Sequence, residues 1–312
     1  LRQFSYAAAR SICEVATKRA LSEGAGRLPV AVEFAKRFNE FHRAVTGSQE
    51  DFVPVAESVG VAASTLKIAG HGEVEEDASI VALDVQALGG LSFSDPEGVA
   101  IVMPSIDTAK ALDTARLLVR RAGMETTVFI VEDTLRQGFI RTLNDTAARL
   151  DVKYVVYLAE DSFPGVDWLK LAHAKLEETG NGLLAFNCGK WRGRIAAFGM
   201  VRMNWVKRLY GGPVLYSGYT SHRADNEITA IARASDEFVY LPDALLVEND
   251  RGKAFRKFEA DASNFHVSDK KLFIARFNAN FDGLAPEPGL DRIRDEYLNQ
   301  RKLRAQKEAV TK

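Results

Sequence analysis

The chain has 312 residues, 46% of them hydrophobic and 27% charged, a length that allows one large domain or two smaller ones. Lys and Arg total 41 against 42 Asp and Glu, and the resulting net charge of −1 gives no electrostatic footprint for nucleic-acid binding. Cys13 and Cys188 lie far apart in the sequence, so we expect neither a disulfide framework nor a zinc site. No apolar run reaches the roughly 18–20 residues of a transmembrane segment, and the N-terminus lacks a secretory pattern. We therefore expect a soluble cytoplasmic protein.

Residues 1–97 are predicted to form a helical and mixed N-terminal region. Phe4, Ala8 and Ile12 recur at helical spacing, and a second helical pattern follows after a Gly- and Pro-containing break. The segment "FSDPEG" (93–98) is typical of a linker or turn. The region could bind an acceptor or mediate homo-oligomerisation, and its role stays open.

From residue 99 the pattern changes to strands that alternate with helices. Strands are predicted at "VAIVMP" (99–104), "TTVFIVED" (126–133) and "YVVYL" (154–158), and helices over about 108–122, 135–150 and 166–178. This alternation predicts an α/β fold with a mostly parallel sheet flanked by helices. We place this domain at 98–270, with a largely helical C-terminal extension over 271–312.

Polar or acidic residues follow three of the predicted strands: Ser105 and Asp107, Glu132 and Asp133, and Glu160 and Asp161. In open α/β sheets, ligands bind beyond the carboxyl ends of the strands. Carboxylates without a histidine cluster suit Mg²⁺ or Mn²⁺, which take one or two protein carboxylates and complete their shell with substrate phosphate oxygens. The alternative is that these acids are turn formers or helix caps. Motifs for a P-loop, a dinucleotide fold, a serine hydrolase elbow or a zincin are absent from the sequence.

Residues 99–250 resemble the GT-A nucleotide-sugar glycosyltransferases, particularly the family-2 type. "VAIVMPSID" looks like the opening strand of that family with its proline. "VFIVEDT" is similar to its second strand, and the resemblance implies that Glu132 and Asp133 hold the nucleotide base and ribose. Asn144 falls where the family commonly has an Arg-Asn pair, with Leu143 in place of the arginine.

"YLAEDSFPGVDWL" resembles the strand that carries the Asp-x-Asp metal motif of this family. Ala159 replaces its first aspartate, and Asp161 matches the usual metal-binding position. "FVYLPDALLVE" is similar to the next strand, where Glu248 stands in the place of a metal-binding histidine. The resemblance also allows His266 to reach the diphosphate or the metal from a C-terminal segment.

"ADNEI" (224–228) resembles the acidic segment that supplies the catalytic base, which implies this role for Asp225. The alternative is that Asp225 caps the following helix, and both roles can coexist. The implied nucleotide-sugar site contains Pro104, Ser105, Asp107, Glu132, Asp133, Asn144, Glu160 and Asp161. Candidate acceptor-site residues are Trp191, in "NCGKWRGR", Tyr219 and His222, in a Gly- and Tyr-rich loop, and Glu227.

The resemblance implies a glycosyltransferase that moves a sugar from a nucleotide-diphosphate donor to an acceptor hydroxyl of a glycan, a lipid-linked molecule or another compound. Transfer would be assisted by Mn²⁺ or Mg²⁺ on Asp161, Glu248 and His266, and Asp225 would accept the hydroxyl proton in an inverting displacement. Two alternatives stay open. One is a nucleotidyltransferase, and the other is a catalytically inactive binding or scaffold protein with the same fold.

Overall fold

The computed structural model describes residues 79–248 and 260–296, and within the second range it describes side chains from residue 267 onward. The predictions for residues 1–78 and for the tail after residue 296 lie outside these ranges. The described residues belong to one compact unit. No helix among them is long and apolar enough to cross a membrane.

Eight strands and six helices alternate along the described chain, together with a short 3-10 helix (Val85–Gly90) and a final helical stretch over 287–296. The strands are β1 (Ile80–Asp84), β2 (Phe93–Ser105), β3 (Thr127–Glu132), β4 (Leu150–Tyr157), β5 (Ser162–Pro164), β6 (Leu183–Asn187), β7 (Gly199–Arg202) and β8 (Phe238–Glu248). The helices are α1 (Thr108–Arg120), α2 (Phe139–Ala147), α3 (Trp168–Thr179), α4 (Met203–Tyr210), α5 (Ala224–Ala234) and α6 (Ala260–Asn278).

The strands of the described chain form one sheet in the order β1-β3-β2-β4-β7-β6-β8-β5. The pairs β1/β3, β3/β2, β2/β4 and β6/β8 are parallel, whereas β4/β7, β7/β6 and β8/β5 are antiparallel. The predicted α/β organisation is therefore confirmed, but the sheet is mixed. The expectation of a mostly parallel sheet missed β7, a four-residue strand that enters antiparallel between β4 and β6. The sheet also includes β1, before residue 98, and α6 runs across residue 270.

Residues 93–98 form the first part of β2, so the prediction of a linker or turn was wrong. Residues 93–95 pair with residues 150–152 of β4, and the register then shifts between Asp95 and Val99. This bulge takes up Pro96, which has no N–H to donate to a neighbouring strand. Strand pairing with a distant segment therefore outweighs the local turn signal.

Helices cover both faces of the sheet because its central strand is apolar on both sides. Along β2, Ile101 and Met103 face α1 and α3, while Ala100 and Val102 face the opposite layer. This follows from the alternation of side chains along a strand. Trp168 begins α3 fully buried in the first layer, and its indole N–H donates to the Leu118 carbonyl at 3.1 Å. The second layer contains α2, α4 and α5.

A close approach between β7 and β4 depends on the missing side chain of Gly199. Tyr157, buried in β4, donates its hydroxyl to the Ala196 carbonyl at 2.7 Å and lies directly against Gly199. A Cβ on Gly199 would lie 2.5 Å from the Tyr157 Oη and 2.6 Å from its Cζ, well inside van der Waals contact. The glycine therefore sets how closely the two strands can pair around this ring.

We predict that Gly199→Ala lowers the free energy of unfolding by about 1–3 kcal/mol, because the buried Tyr157 ring must shift. Urea unfolding followed by circular dichroism measures the change. Gly89→Ala is the matched control, since a Cβ there meets nothing within 4 Å. Equal stability of the two variants would contradict the assignment of a packing role to Gly199.

Candidate active site

A pocket of about 410 Å³ opens beyond the C-terminal ends of β4 and β8, beside the N-terminus of α5. Part of its lining is apolar: Phe139, Ile140, Tyr157, Ala159, Trp191, Ile195, Ala197, Phe198, Leu215 and Ala224. The remainder is polar or charged: Asp161, Lys190, Ser221, His222, Arg223, Asp225, Asn226 and Glu248. A pocket with apolar walls and a few convergent polar groups is typical of a small-molecule site.

The pairing of β5 with β8 brings Asp161 close to Glu248, although 86 positions separate them in the sequence. Ser162, the first residue of β5, is the register partner of Glu248, the last residue of β8. Asp161 therefore precedes the pair directly, and both acids line the pocket. The Glu248 carboxylate forms an ion pair with the Lys190 ammonium at 3.1 Å. The Glu248 N–H donates to the Cys188 carbonyl at 3.2 Å, which holds the chain at Cys188, two residues before Lys190, alongside the end of β8.

Asp225 lies in the first turn of α5 and contributes a carboxylate to the pocket. The N-cap position belongs to Arg223, whose φ of 74° is left-handed, so Asp225 is not the cap of this helix. One Asp225 oxygen accepts the Asn226 N–H at 2.8 Å. Burial raises the pKa of the Asp225 carboxyl to about 6, although the Asn226 N–H and the Arg223 charge act in the opposite direction. Such a pKa suits a proton acceptor that works near neutral pH.

Five of the predicted site residues meet in this pocket: Asp161, Trp191, His222, Asp225 and Glu248. Trp191 is 38% exposed, which leaves an aromatic surface available to a ligand. His266 belongs to α6, but its side chain lies outside the described part of the structure. Pro104, Ser105, Asp107, Glu132, Asp133, Asn144, Glu160, Tyr219 and Glu227 do not line the pocket.

The other strand-end acids all have hydrogen-bond partners within the protein: Asp107 and Asp133 bind nearby backbone N–H groups, whereas Glu132 and Glu160 bind side chains 24 and 55 positions away. Asp107 caps α1 by accepting the Lys110 N–H at 3.1 Å, and Glu132 accepts from the Thr108 hydroxyl at 2.8 Å. Asp133 accepts the backbone N–H groups that precede α2, at 2.9 and 2.7 Å. Glu160 accepts from the Ser105 hydroxyl and lies 3.4 Å from the Lys110 ammonium. Nucleotide binding by these residues stays a prediction.

Asn144 holds the long loop between α4 and α5 from the side of α2. Its amide oxygen accepts the N–H groups of Val214 and Leu215 at 3.0 Å each, and its nitrogen donates to the Leu215 carbonyl at 2.8 Å. Asn144 is itself buried. The hydrogen bonds of Asn144 therefore position Leu215, which lines the pocket.

Asp269 of α6 holds the other end of the same loop. Its buried carboxylate accepts three successive backbone N–H groups, from Thr220, Ser221 and His222, at 3.1, 2.9 and 2.7 Å. Hydrogen bonds to a charged acceptor are stronger than neutral ones. The segment just before Arg223 is consequently fixed by a helix that lies far along the chain.

Glu227 forms a second connection between α5 and α6, and it is 0% exposed. Arg276 donates to both of its oxygens at 2.8 Å. The hydroxyls of Tyr219 and Tyr210 donate to the same carboxylate at 2.7 and 3.3 Å. Burial, with the charge of Glu227, raises the pKa of both tyrosines, so both keep their protons and remain donors. Glu227 and Tyr219 thus lie outside the pocket lining and connect α5 with α6, and acceptor binding by them stays a prediction.

The sequence patterns did not indicate three residues that contact the site or its loop: Lys190, Asp269 and Arg276. The pairing of Lys190 with Glu248 spans 58 positions and leaves no local signal. Asp269 and Arg276 are seven residues apart, which places both on one face of α6, but the partners that they bind lie 47 to 49 positions earlier in the chain.

We predict that Arg276→Met lowers the free energy of unfolding by about 3–5 kcal/mol, because the Glu227 carboxylate stays buried after its guanidinium partner is removed. Arg292→Met is the matched control. Arg292 pairs with Asp236 at 3.1 Å on the surface, and exposed pairs of this kind contribute about 0–1 kcal/mol. Urea unfolding compares the variants, and a loss below about 1 kcal/mol for Arg276→Met would contradict the assigned role.

No protein-family model and no curated protein sequence matches the chain. Among solved structures, TarS of S. aureus aligns with 13% identity and a TM-score of 0.48 over 65% of this chain and 43% of that chain. TarS 1–349 of S. aureus in complex with UDP aligns with 11% identity and a TM-score of 0.37, over 59% and 72%. A glycosyltransferase involved in glycosylation of the major capsid of PBCV-1 aligns with 10% identity and a TM-score of 0.35, over 54% and 97%. The chain thus spans less than half of the full TarS structure, and these TM-scores, all below 0.5, do not define its activity.

Proposed function

We propose that this protein is an inverting glycosyltransferase that uses a nucleoside-diphosphate sugar as donor and Asp225 as general base. The observation that supports the proposal is the raised pKa of Asp225, about 6, in a pocket that also contains Asp161 and Glu248. A carboxylate of this basicity is deprotonated at neutral pH and is still a better proton acceptor than an ordinary aspartate.

In the proposed reaction, the acceptor hydroxyl gives its proton to the Asp225 carboxylate as its oxygen attacks the anomeric carbon of the donor. The bond from that carbon to the diphosphate oxygen breaks, and its electron pair leaves with the nucleoside diphosphate. Attack from the face opposite the leaving group inverts the anomeric configuration. The exposed ring of Trp191 supplies a surface on which the acceptor can stack, and His222 also lines the pocket.

The carboxylates of Asp161 and Glu248 fit Mg²⁺ or Mn²⁺ in kind, because hard oxygen ligands suit these ions. Among the described residues, no group of three or more His, Cys, Asp or Glu could hold a metal ion. Two carboxylates nevertheless suffice where substrate phosphates complete the shell. Asp161 and Glu248 would hold the ion, which when bound stabilises the charge of the leaving diphosphate.

We predict that Asp225→Asn lowers the transfer rate by at least about 100-fold, the lower bound for a general base. The wild-type rate should rise with pH through an apparent pKa of about 6, since the deprotonated form is active. Sugar transfer is measured as release of nucleoside diphosphate across pH 5–8. A flat wild-type profile, or a variant of unchanged rate, would contradict the assignment.

The same substitution should stabilise the protein at neutral pH. An ordinary Asp ionises near 3.8 and Asp225 near 6, so above pH 6 the folded state holds a charge that burial disfavours. Stability from this group is therefore present below pH 3.8 and lost as the pH rises to 6. We expect Asp225→Asn to gain about 3 kcal/mol at pH 7.5, from the pKa difference between 3.8 and about 6 at roughly 1.4 kcal/mol per pKa unit, and less than about 1 kcal/mol at pH 4. Urea unfolding of the wild type and the variant at both pH values measures the difference, and equal stability at pH 7.5 would contradict the prediction.

Calorimetric titration with UDP, GDP, CDP and ADP, each with and without Mn²⁺, tests donor binding. We expect one nucleotide to bind preferentially and to lose at least tenfold in affinity in Asp161→Ala with Mn²⁺ present. Asp113→Ala, which removes an exposed carboxylate paired with Arg116, is the matched control and should bind as the wild type does. Absence of binding by all four nucleotides would favour an inactive scaffold instead.

A further inference from the structure

Lys190 brings a positive charge into the pocket that also contains the carboxylates of Asp161 and Glu248. Its ammonium lies 3.1 Å from a Glu248 oxygen, and the side chains are 35% and 13% exposed. Both residues line the pocket together with Asp161. The lysine therefore neutralises one of the two carboxylates to which we assign the divalent ion.

The turn that carries Lys190 is defined by its own hydrogen bonds. Asn187 accepts the Gly189 N–H on its side-chain oxygen at 3.2 Å, and the Trp191 carbonyl accepts the Arg194 N–H at 2.9 Å. Gly189 has a φ of 80°, a left-handed conformation that glycine adopts readily. The backbone thus places Lys190 at the pocket. The flexible four-carbon stem of the lysine allows its ammonium to exchange one partner for another.

The charges in this part of the pocket also call for a cation beside any diphosphate. Asp161 and Glu248 are two negative groups, and a nucleoside diphosphate adds further negative charge. A lysine ammonium is a compact point charge that binds phosphate oxygens well. A divalent ion and an ammonium would both be attracted to the Glu248 carboxylate, and two positive charges held close together repel each other.

We infer that Lys190 binds the diphosphate group of the donor and competes with the divalent ion for Glu248. Without a metal, Lys190 neutralises Glu248. When the ion binds Glu248, the ammonium is released toward the diphosphate oxygens. This inference rests on the proposed function, because it assumes a diphosphate ligand in this pocket.

Two probes test the inference without any sugar transfer. The first is inorganic pyrophosphate in EDTA, titrated by calorimetry, which needs no knowledge of the base. The second is Mn²⁺ alone, titrated by electron paramagnetic resonance. Lys175→Met is the matched control, because Lys175 pairs with Glu178 at 2.9 Å and is 32% exposed, close to the values for Lys190.

We expect Lys190→Met to bind pyrophosphate at least tenfold more weakly and to bind Mn²⁺ severalfold more tightly, since the competing cation is gone. Glu248→Gln should do the reverse: pyrophosphate binds severalfold more tightly because Lys190 is released, and Mn²⁺ binds at least tenfold more weakly. Lys175→Met should match the wild type in both titrations. Thermal unfolding verifies that each variant is folded.

The inference is overturned if Lys190→Met binds pyrophosphate as tightly as the wild type, if its Mn²⁺ affinity falls or stays unchanged, or if Glu248→Gln binds pyrophosphate no more tightly than the wild type. These outcomes differ from failure of the proposed function. A wild type that binds pyrophosphate through Lys190 but transfers no sugar would leave this inference standing and reject the transferase.

Discussion

The buried ion pair between Glu227 and Arg276 is the interaction on which the candidate active site depends. Removing two charges from water is costly, and only a paired geometry with further hydrogen bonds offsets that cost. Here the arginine is bidentate, two tyrosine hydroxyls complete the shell of Glu227, and Asp282 and the ring of Tyr216 contact the guanidinium from other sides. The pair fixes the orientation of α5 relative to α6. Because Asp225 lies two residues before Glu227, this orientation decides where the Asp225 carboxylate meets the pocket.

Residues 211–223 form a long loop, and such loops are often mobile lids. In this structure the loop is instead held at both ends. Asn144 binds its first half, and near its end Gly138 packs closely against the Thr220 carbonyl while Asp269 binds three N–H groups. A wall that is held in this way suits precise placement of reacting groups more than closure over a substrate.

The sequence predicted the larger elements of the fold well, because long strands and amphipathic helices carry periodic signals. β3, β4, α1 and α3 lie where those signals placed them, and β8 lies where the family resemblance placed it. The short strands β5 and β7 were not predicted, since three or four residues carry no period and form only by pairing with distant partners. For the site, resemblance brought Asp161, Asp225 and Glu248 together. It could not indicate Lys190, Asp269 or Arg276, whose roles come from contacts across 47 to 58 positions.

The position of α6 late in the described chain has a consequence for how the protein is made. The strands of the sheet and the first five helices precede Asp269 and Arg276 along the chain, so they are synthesised first. Until α6 follows, the Glu227 carboxylate and the N–H groups of residues 220–222 lack the partners that α6 supplies. Among the elements that build the pocket and its loop, the one that completes their hydrogen bonding is therefore the last to leave the ribosome.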